Sequence, residues 1–233
     1  HISRLSLFGS VLRADFNAQS DVDVLVEFEP EHVPGLLGIS RMVLSRHEIE
    51  DVETDFPGLD DDARRILSAT TGGCRVVNLY VPNGQEVDSP KYEYKLDWLS
   101  HLLTYVKSLR EKHPDIVLCG DFNIAPEDRD VHDPEAWRGR VLCSEPERAA
   151  FQALISAGFH DAFRKFEQPD ETFSWWDYRA AAFRRNRGLR IDHILCSDAL
   201  YEHVTACDID KTPRALERPS DHAPVMADIA RAG

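Results

Sequence analysis

The run 116–119 (IVLC), closed by Gly120 and followed at once by Asp121 and Asn123, constrains this chain most. A short apolar run stopped by a glycine reads as a buried strand, and such a strand presents the polar residues beyond its end at the edge of a sheet. Alternate positions on an extended segment share a face, so Asp121 and Asn123 can act on one centre. Three later stretches answer them: FSWWDYR at 173–179, RIDHILCS at 190–197 and RPSDHAP at 218–224. The expectation is that all four segments converge on one site.

Around this stretch the pattern alternates. Residues 66–70 and 75–81 read as a hairpin turned by Thr-Gly-Gly. In 91–112, Tyr94, Trp98, Leu102 and Val106 recur at steps of four, which predicts an amphipathic helix with basic residues toward its end. A second helix is expected over 147–157, stopped by Gly158, and further strands over 172–178, 190–196, 204–209 and 223–229. Residues 51–62 read as an acidic turn region and 127–145 as a long polar loop. Strands outnumber helices, which points to an α/β (α+β) fold, a layered sandwich of two packed β-sheets flanked by helices.

Composition excludes some classes. No apolar run approaches the length that spans a bilayer, so no membrane partner is expected. The five cysteines are an odd set without C-x-x-C spacing; Cys119 and Cys196 fall in apolar runs and read as buried thiols. That favours a reducing, cytoplasmic setting over a disulfide framework or a zinc site. The 27 basic and 41 acidic residues give a net charge of −14, which by itself argues against nucleic-acid binding. The distribution argues the other way: 48–62 holds eight acids, whereas 178–190 (YRAAAFRRNRGLR) holds five arginines and no acid. Following two tryptophans, Arg179, Arg185 and Arg190 are candidates to face phosphates.

The front of the chain has a different character. Gly9-Ser10 follows an apolar run, and Asp21-Val22-Asp23 leads into an alternating strand ending at Phe28. The text GSVLRADFNAQSDVDVLVEF resembles the minimal nucleotidyltransferase family of antitoxin type. That resemblance implies that Gly9 and Ser10 contact nucleotide phosphates and that Asp21 and Asp23 bind magnesium. The third carboxylate of that family is not evident after Phe28, so 1–42 is expected to be a nucleotidyltransferase-like fragment and 43–233 a separate domain.

From about Leu44 the chain resembles the endonuclease/exonuclease/phosphatase superfamily, in its exonuclease III and apurinic/apyrimidinic endonuclease branch. NLYVPNGQ (78–85), GDFNIAP (120–126), FSWWDYR, RIDHILCS and RPSDHAPV (218–225) carry the resemblance, in the right order. It implies a magnesium- (or manganese-) dependent DNA-repair nuclease acting on double-stranded and abasic-site DNA. On that resemblance Asp121 activates the attacking water, Asn123 donates to the phosphate, Tyr80 contacts it, and Asp192 orients His222. Trp176 is expected to wall the pocket for a base-less sugar. His193, one residue past Asp192, faces the other way.

The chain departs from that family at its front. The N-x-N-G/S-I-R-A strand and the L-Q-E-x-K strand, whose glutamate is the principal metal ligand, are both missing, so the domain is expected to be N-terminally incomplete and its activity weakened or lost. Asp221 is one substitute ligand and Glu27 another. The rival expectations are a nucleotidyltransferase using Asp21 and Asp23, and a non-catalytic DNA-binding remnant.

Overall fold

A computed structural model describes residues 2–8, 23–28, 48–56, 65–215 and 219–230, the first two segments by their backbone. The chain divides into two compact units, His1–Met42 and Val43–Gly233. In the first, β1 (Ile2–Phe8) and β2 (Asp23–Phe28) pair antiparallel, with Phe8 opposite Asp23 and Arg4 opposite Glu27. Gly9, Ser10 and Asp21 lie outside the described residues.

In chain order the second unit contains β3 (Ile49–Glu53), β4 (Ile66–Thr71), β5 (Cys74–Tyr80), α1 (Pro90–Arg110), β6 (Ile116–Asp121), α2 (Pro134–Trp137), α3 (Glu145–Ser156), β7 (Phe159–Asp161), β8 (Asp192–Ser197), α4 (Asp198–Tyr201), β9 (Val204–Ile209) and β10 (Val225–Ile229). Six strands form one sheet in the order β3-β4-β5-β6-β8-β7, and β9 and β10 form a second. The large sheet is antiparallel except at β5 and β6, which run parallel because α1 carries the chain back between them.

Period-two alternation divides the large sheet into two apolar faces. Val77, Leu79, Ile116, Leu118 and Leu195 pack against Trp98, Leu102 and Val106 of α1 and Phe151 and Leu154 of α3. On the other face Val117, Cys119, Ile194 and Cys196 meet Val204, Cys207, Val225 and Ala227 of the small sheet. The result is the expected layered arrangement, helices on sheet on sheet. Cys196 is buried and Cys119 partly so, and burial pushes both thiols up to about 12. Among the described residues, no helix is long and apolar enough to cross a membrane.

Local chemistry fixes the ends of the elements. The hairpin of β4 and β5 turns on Gly72 and Gly73, both at positive φ, with Thr71 paired to Cys74. Ser89 caps α1, accepting from the Tyr92 N–H, and Pro90 opens it. Ser144 and Glu147 form a reciprocal capping box on α3.

Four expectations are corrected. The acidic stretch after Glu48 is in part an edge strand, β3, because Glu53 answers a buried arginine: Arg75 donates to Glu53 (2.6 Å) and to the Asp51 carbonyl (2.6 Å). Segment 127–145 contains a 3-10 turn at Asp128–Asp130 and the short helix α2. Segment 172–178 is not a strand; only single bridges form there, Trp175 to Leu189 and Trp175 to His222. On α1 the buried face is Tyr92, Lys95, Trp98, Leu99, Leu102, Tyr105, Val106 and Leu109, while Tyr94 is 37% exposed. A step of four overshoots one helical turn by about 40°, so a stripe at strict steps of four rotates off the core.

Candidate active site

Four side chains stand in one row across neighbouring strands. Asp121 at the end of β6 is opposite Asp192 of β8 on one side and Tyr80 of β5 on the other. The Tyr80 N–H donates to the Arg65 carbonyl (2.8 Å), and the Arg65 guanidinium lies 5.3 Å from the Tyr80 ring. Directly paired residues share a face, so these groups project together at the sheet's rim. Gly120 permits this: at φ 131°, a Cβ would lie 2.0 Å from the Leu79 carbonyl oxygen of the parallel neighbour.

Beyond the strand the backbone reverses at Asn123 (φ 49°), which folds back over Asp121. Its N–H donates to Asp121 Oδ1 (2.8 Å), and its Nδ2 donates to Asp121 Oδ2 (3.0 Å) and to the Val81 carbonyl (3.0 Å). Both amide hydrogens are therefore committed. Asn123 orients the carboxylate here, where a free donor toward phosphate was expected. Asn83, exposed at the end of the neighbouring loop, donates to Asn123 Oδ1 (2.9 Å).

The histidine arrives from another direction. Backbone bonds from Trp176 N–H to Asp221 (3.0 Å) and from Ala223 N–H to Ser174 (2.7 Å) clip the loop carrying His222 to the FSWW segment. His222 Nδ1 then lies 2.9 Å from Asp192 Oδ2 and 3.1 Å from Oδ1. Ser174 fixes the carboxylate, donating to Asp192 Oδ2 (2.6 Å) while accepting from the Ile191 and Asp192 N–H groups.

The electrostatics follow from this crowding. Burial, then the charge of Asp192, raises Asp121 to about 7 against the opposing pull of His222, the Asn123 N–H and Lys95. Burial alone would lower His222, but its hydrogen bond to Asp192 and the carboxylates around it carry it up to about 9. Tyr80 is raised by burial and by Asp121. One ligand atom each from Asp121, Asp192 and His222 lies within 4.8 Å of the others. A hard divalent ion prefers oxygen donors. Asp121 and Asp192 supply them, and two neighbouring carboxylates, one of them raised by its neighbour, are the charge arrangement such an ion relieves. Asp192 takes only Nδ1 of His222, so the group offers two carboxylates and one ring nitrogen to a divalent ion.

The remaining expected residues are placed as follows. Trp176 is fully buried among Phe173, Ala182 and Ala223, with its indole N–H on Asn186 Oδ1 (3.2 Å), so it is core and walls no open pocket. Trp175 is the partly exposed one of the pair. Asp221 accepts from the Trp175 indole (3.0 Å) and stands outside the Asp121, Asp192 and His222 group. Arg190 is 1% exposed and bonded to Asp130 (2.7 Å) and Asp161 (2.8 Å), which takes it away from any phosphate. Arg179 and Arg185 are exposed. His193 faces the opposite side, as its position predicts, between Arg190 and the Ile124 carbonyl. Asp23 and Glu27 are placed by backbone register alone. Sequence reasoning missed Arg65, Asn83, Ser174 and Trp175. The last two sit inside the FSWWDYR motif, where adjacent positions could have been separated by face.

Comparison with known proteins gives a consistent picture. The Endonuclease/Exonuclease/phosphatase family matches residues 15–222, beginning inside the segment assigned above to a nucleotidyltransferase-like fragment, and nothing in the comparisons supports nucleotidyl transfer. Exodeoxyribonuclease III of Haemophilus influenzae is 36% identical over 200 residues, covering 80% of this chain and 75% of its own length. The structure of the 3' phosphatase NExo from Neisseria bound to product DNA hairpin aligns with a TM-score of 0.78 at 45% identity, over 80% of this chain and 73% of that one. An AP endonuclease from Archaeoglobus fulgidus aligns with a TM-score of 0.74 at 37% identity, over 79% and 72%.

Proposed function

Because the chain belongs to the exonuclease III/AP endonuclease branch of the endonuclease/exonuclease/phosphatase family, we propose that the row around Asp121 is the reaction centre of a magnesium-dependent DNA-repair nuclease. The chain is exodeoxyribonuclease III-like, and the substrate we assign it is duplex DNA, cleaved at abasic sites and from 3' ends. The observation that carries this reading is the meeting of Asp121, Asp192 and His222 from three separate motifs within 4.8 Å.

Hydrolysis of a phosphodiester needs a group to orient water, charge to neutralise the phosphate, and help for the leaving oxygen. Asp121, held in one orientation by both nitrogens of Asn123, takes the water's proton. His222 has its Nδ1 on Asp192, and we assign its other ring nitrogen, in the imidazolium form, as the donor to a phosphate oxygen. Arg65 and the Tyr80 hydroxyl extend the row as further phosphate contacts. A bound magnesium ion, held by Asp121 and Asp192, would add charge neutralisation and a lowered pKa for bound water. Trp175 offers the apolar wall against the sugar, and Arg179 and Arg185 the exposed charge along the backbone.

The test is a panel of three labelled duplexes: one with an internal abasic analogue, one with a recessed 3' end, and one ending in 3'-phosphate. Incision of the first and shortening of the second support the reading. Action on the third alone would replace it with a 3'-phosphatase like the Neisseria relative. Binding without any cleavage would leave a DNA-binding remnant.

A further inference from the structure

Lys95 and Glu147 form an ion pair in which both side chains are 0% exposed (Nζ to Oε1, 2.5 Å). The pair lies behind the candidate active site, and Lys95 does more than neutralise Glu147. Its ammonium also donates to the Asn123 carbonyl (2.6 Å) and to the Asn83 carbonyl (3.2 Å). An ammonium has three hydrogens, and each has an acceptor here.

The two carbonyls belong to two loops whose side chains meet, Asn83 Nδ2 on Asn123 Oδ1 (2.9 Å). Asn123 holds a left-handed backbone (φ 49°), a conformation that a non-glycine residue keeps only when its surroundings enforce it. Lys95 holds the carbonyl of that residue from the buried side. Glu147 is itself immobile, accepting from Leu142 N–H (3.0 Å), Ser144 N–H (3.0 Å) and Ser144 Oγ (2.5 Å). Ser144 Oγ in turn contacts the Tyr92 hydroxyl (2.5 Å), one turn before Lys95 on α1. The cap of α3, the first turns of α1 and the Asp121 carboxylate are thus joined by one unbroken line of hydrogen bonds. A buried ion pair seldom repays its desolvation relative to an apolar pair of equal volume, so stability alone is a poor reason for this one.

We propose that Lys95, aimed by Glu147, is a positioning residue for the reaction: it clamps the carbonyls of Asn83 and Asn123 so that Asn123 holds Asp121 in its working orientation. The inference rests on the reading of Asp121 as the reaction-centre carboxylate.

The test must separate positioning from folding. Lys95→Met alone strands a buried carboxylate and will unfold part of the population. The double variant Lys95→Met/Glu147→Gln removes both charges at similar volume; the amide keeps one acceptor oxygen for the α3 cap, and a melting curve gives the folding cost separately, so that only folded protein is compared. Two readouts follow on the parent and the double variant. On the abasic duplex, kcat is expected to fall about tenfold or more with KM unchanged, since small displacements of a reacting group cost this much. In side-chain amide NMR spectra, the two Asn123 amide protons are expected to shift and broaden while the His222 ring signals stay in place. A stable double variant with parental kcat overturns the proposal, and so does an unmoved Asn123 amide. If the parent cleaves none of the duplexes, the proposed function fails, and the amide spectrum still decides whether Lys95 sets the Asn123 turn.

Discussion

Asp121 and Asp192 stand directly opposite each other on adjacent antiparallel strands, the closest placement a sheet allows two carboxylates. The repulsion adds to burial in raising Asp121 to about 7. Magnesium bound through Asp121, as proposed, would have to displace a proton below that pH. Calorimetric titrations should show an affinity that is flat above pH 8 and falls by about tenfold per pH unit below 7, with a proton released on binding. Asp121→Asn should abolish both the proton release and the slope.

His222 should titrate at about 9 in magnesium-free protein, well above an ordinary imidazole. A raised folded pKa means that the protonated ring stabilises the fold fully below pH 6.5, and that this contribution is lost as pH rises through about 9. Ring signals followed by NMR in EDTA give the value directly. In Asp192→Asn, which removes the main partner, the titration should drop toward the ordinary range, and the alkaline loss of stability should shrink with it.

Arg190 should matter to the fold rather than to the substrate. It ties Asp130, Asp161 and His193 together inside the protein, and Arg164 shares Asp130. Arg190→Met leaves two buried carboxylates short of a partner, for which the expected cost in urea unfolding is about 3–5 kcal/mol. His193 lowers the acid side. Burial and Arg190 hold it down at about 4, so it is neutral when folded. The unfolded chain binds the extra proton, so stability is undiminished above pH 6.5 and declines as pH falls from there through 4.

Arg179 and Arg185, exposed on the same arginine-rich segment, should behave in the opposite way. Alanine at either position should leave the melting temperature unchanged. DNA affinity should fall uniformly across sequences, and the slope of log affinity against log salt should decrease by about one per arginine that meets a phosphate. A titration by fluorescence anisotropy at several salt concentrations reads this.

Much of the fold is legible because its signals are local. The hairpin at Gly72-Gly73, the strand ending at Asp121 and the helix capped by Ser89 each announce themselves within a few residues. What misleads is decided at long range. Lys95 is a charged residue on the buried face of α1, and its partner Glu147 lies 52 residues later. Arg190 reads as one of five like charges, yet its partners Asp130 and Asp161 lie 60 and 29 residues back. Trp175 and Trp176 are adjacent, yet Trp176 is buried and Trp175 partly exposed. Trp176 packs over Gly188, where a Cβ would strike its ring nitrogen at 2.5 Å. The β3 strand is hidden in an acidic stretch because its acid serves Arg75. The four motifs that meet at the candidate site were legible as motifs, but the hydrogen bonds that aim Asn123 at Asp121 instead of at a phosphate were not.

The most direct test of the account is incision of a duplex carrying one abasic analogue, in magnesium and in EDTA, by the parent and by Asp121→Asn. The parent should cut only in magnesium, and Asp121→Asn should lose cutting with folding and DNA affinity retained. Cutting that survives in Asp121→Asn, or that proceeds equally in EDTA, would contradict the assignment of the Asp121 row as the reaction centre.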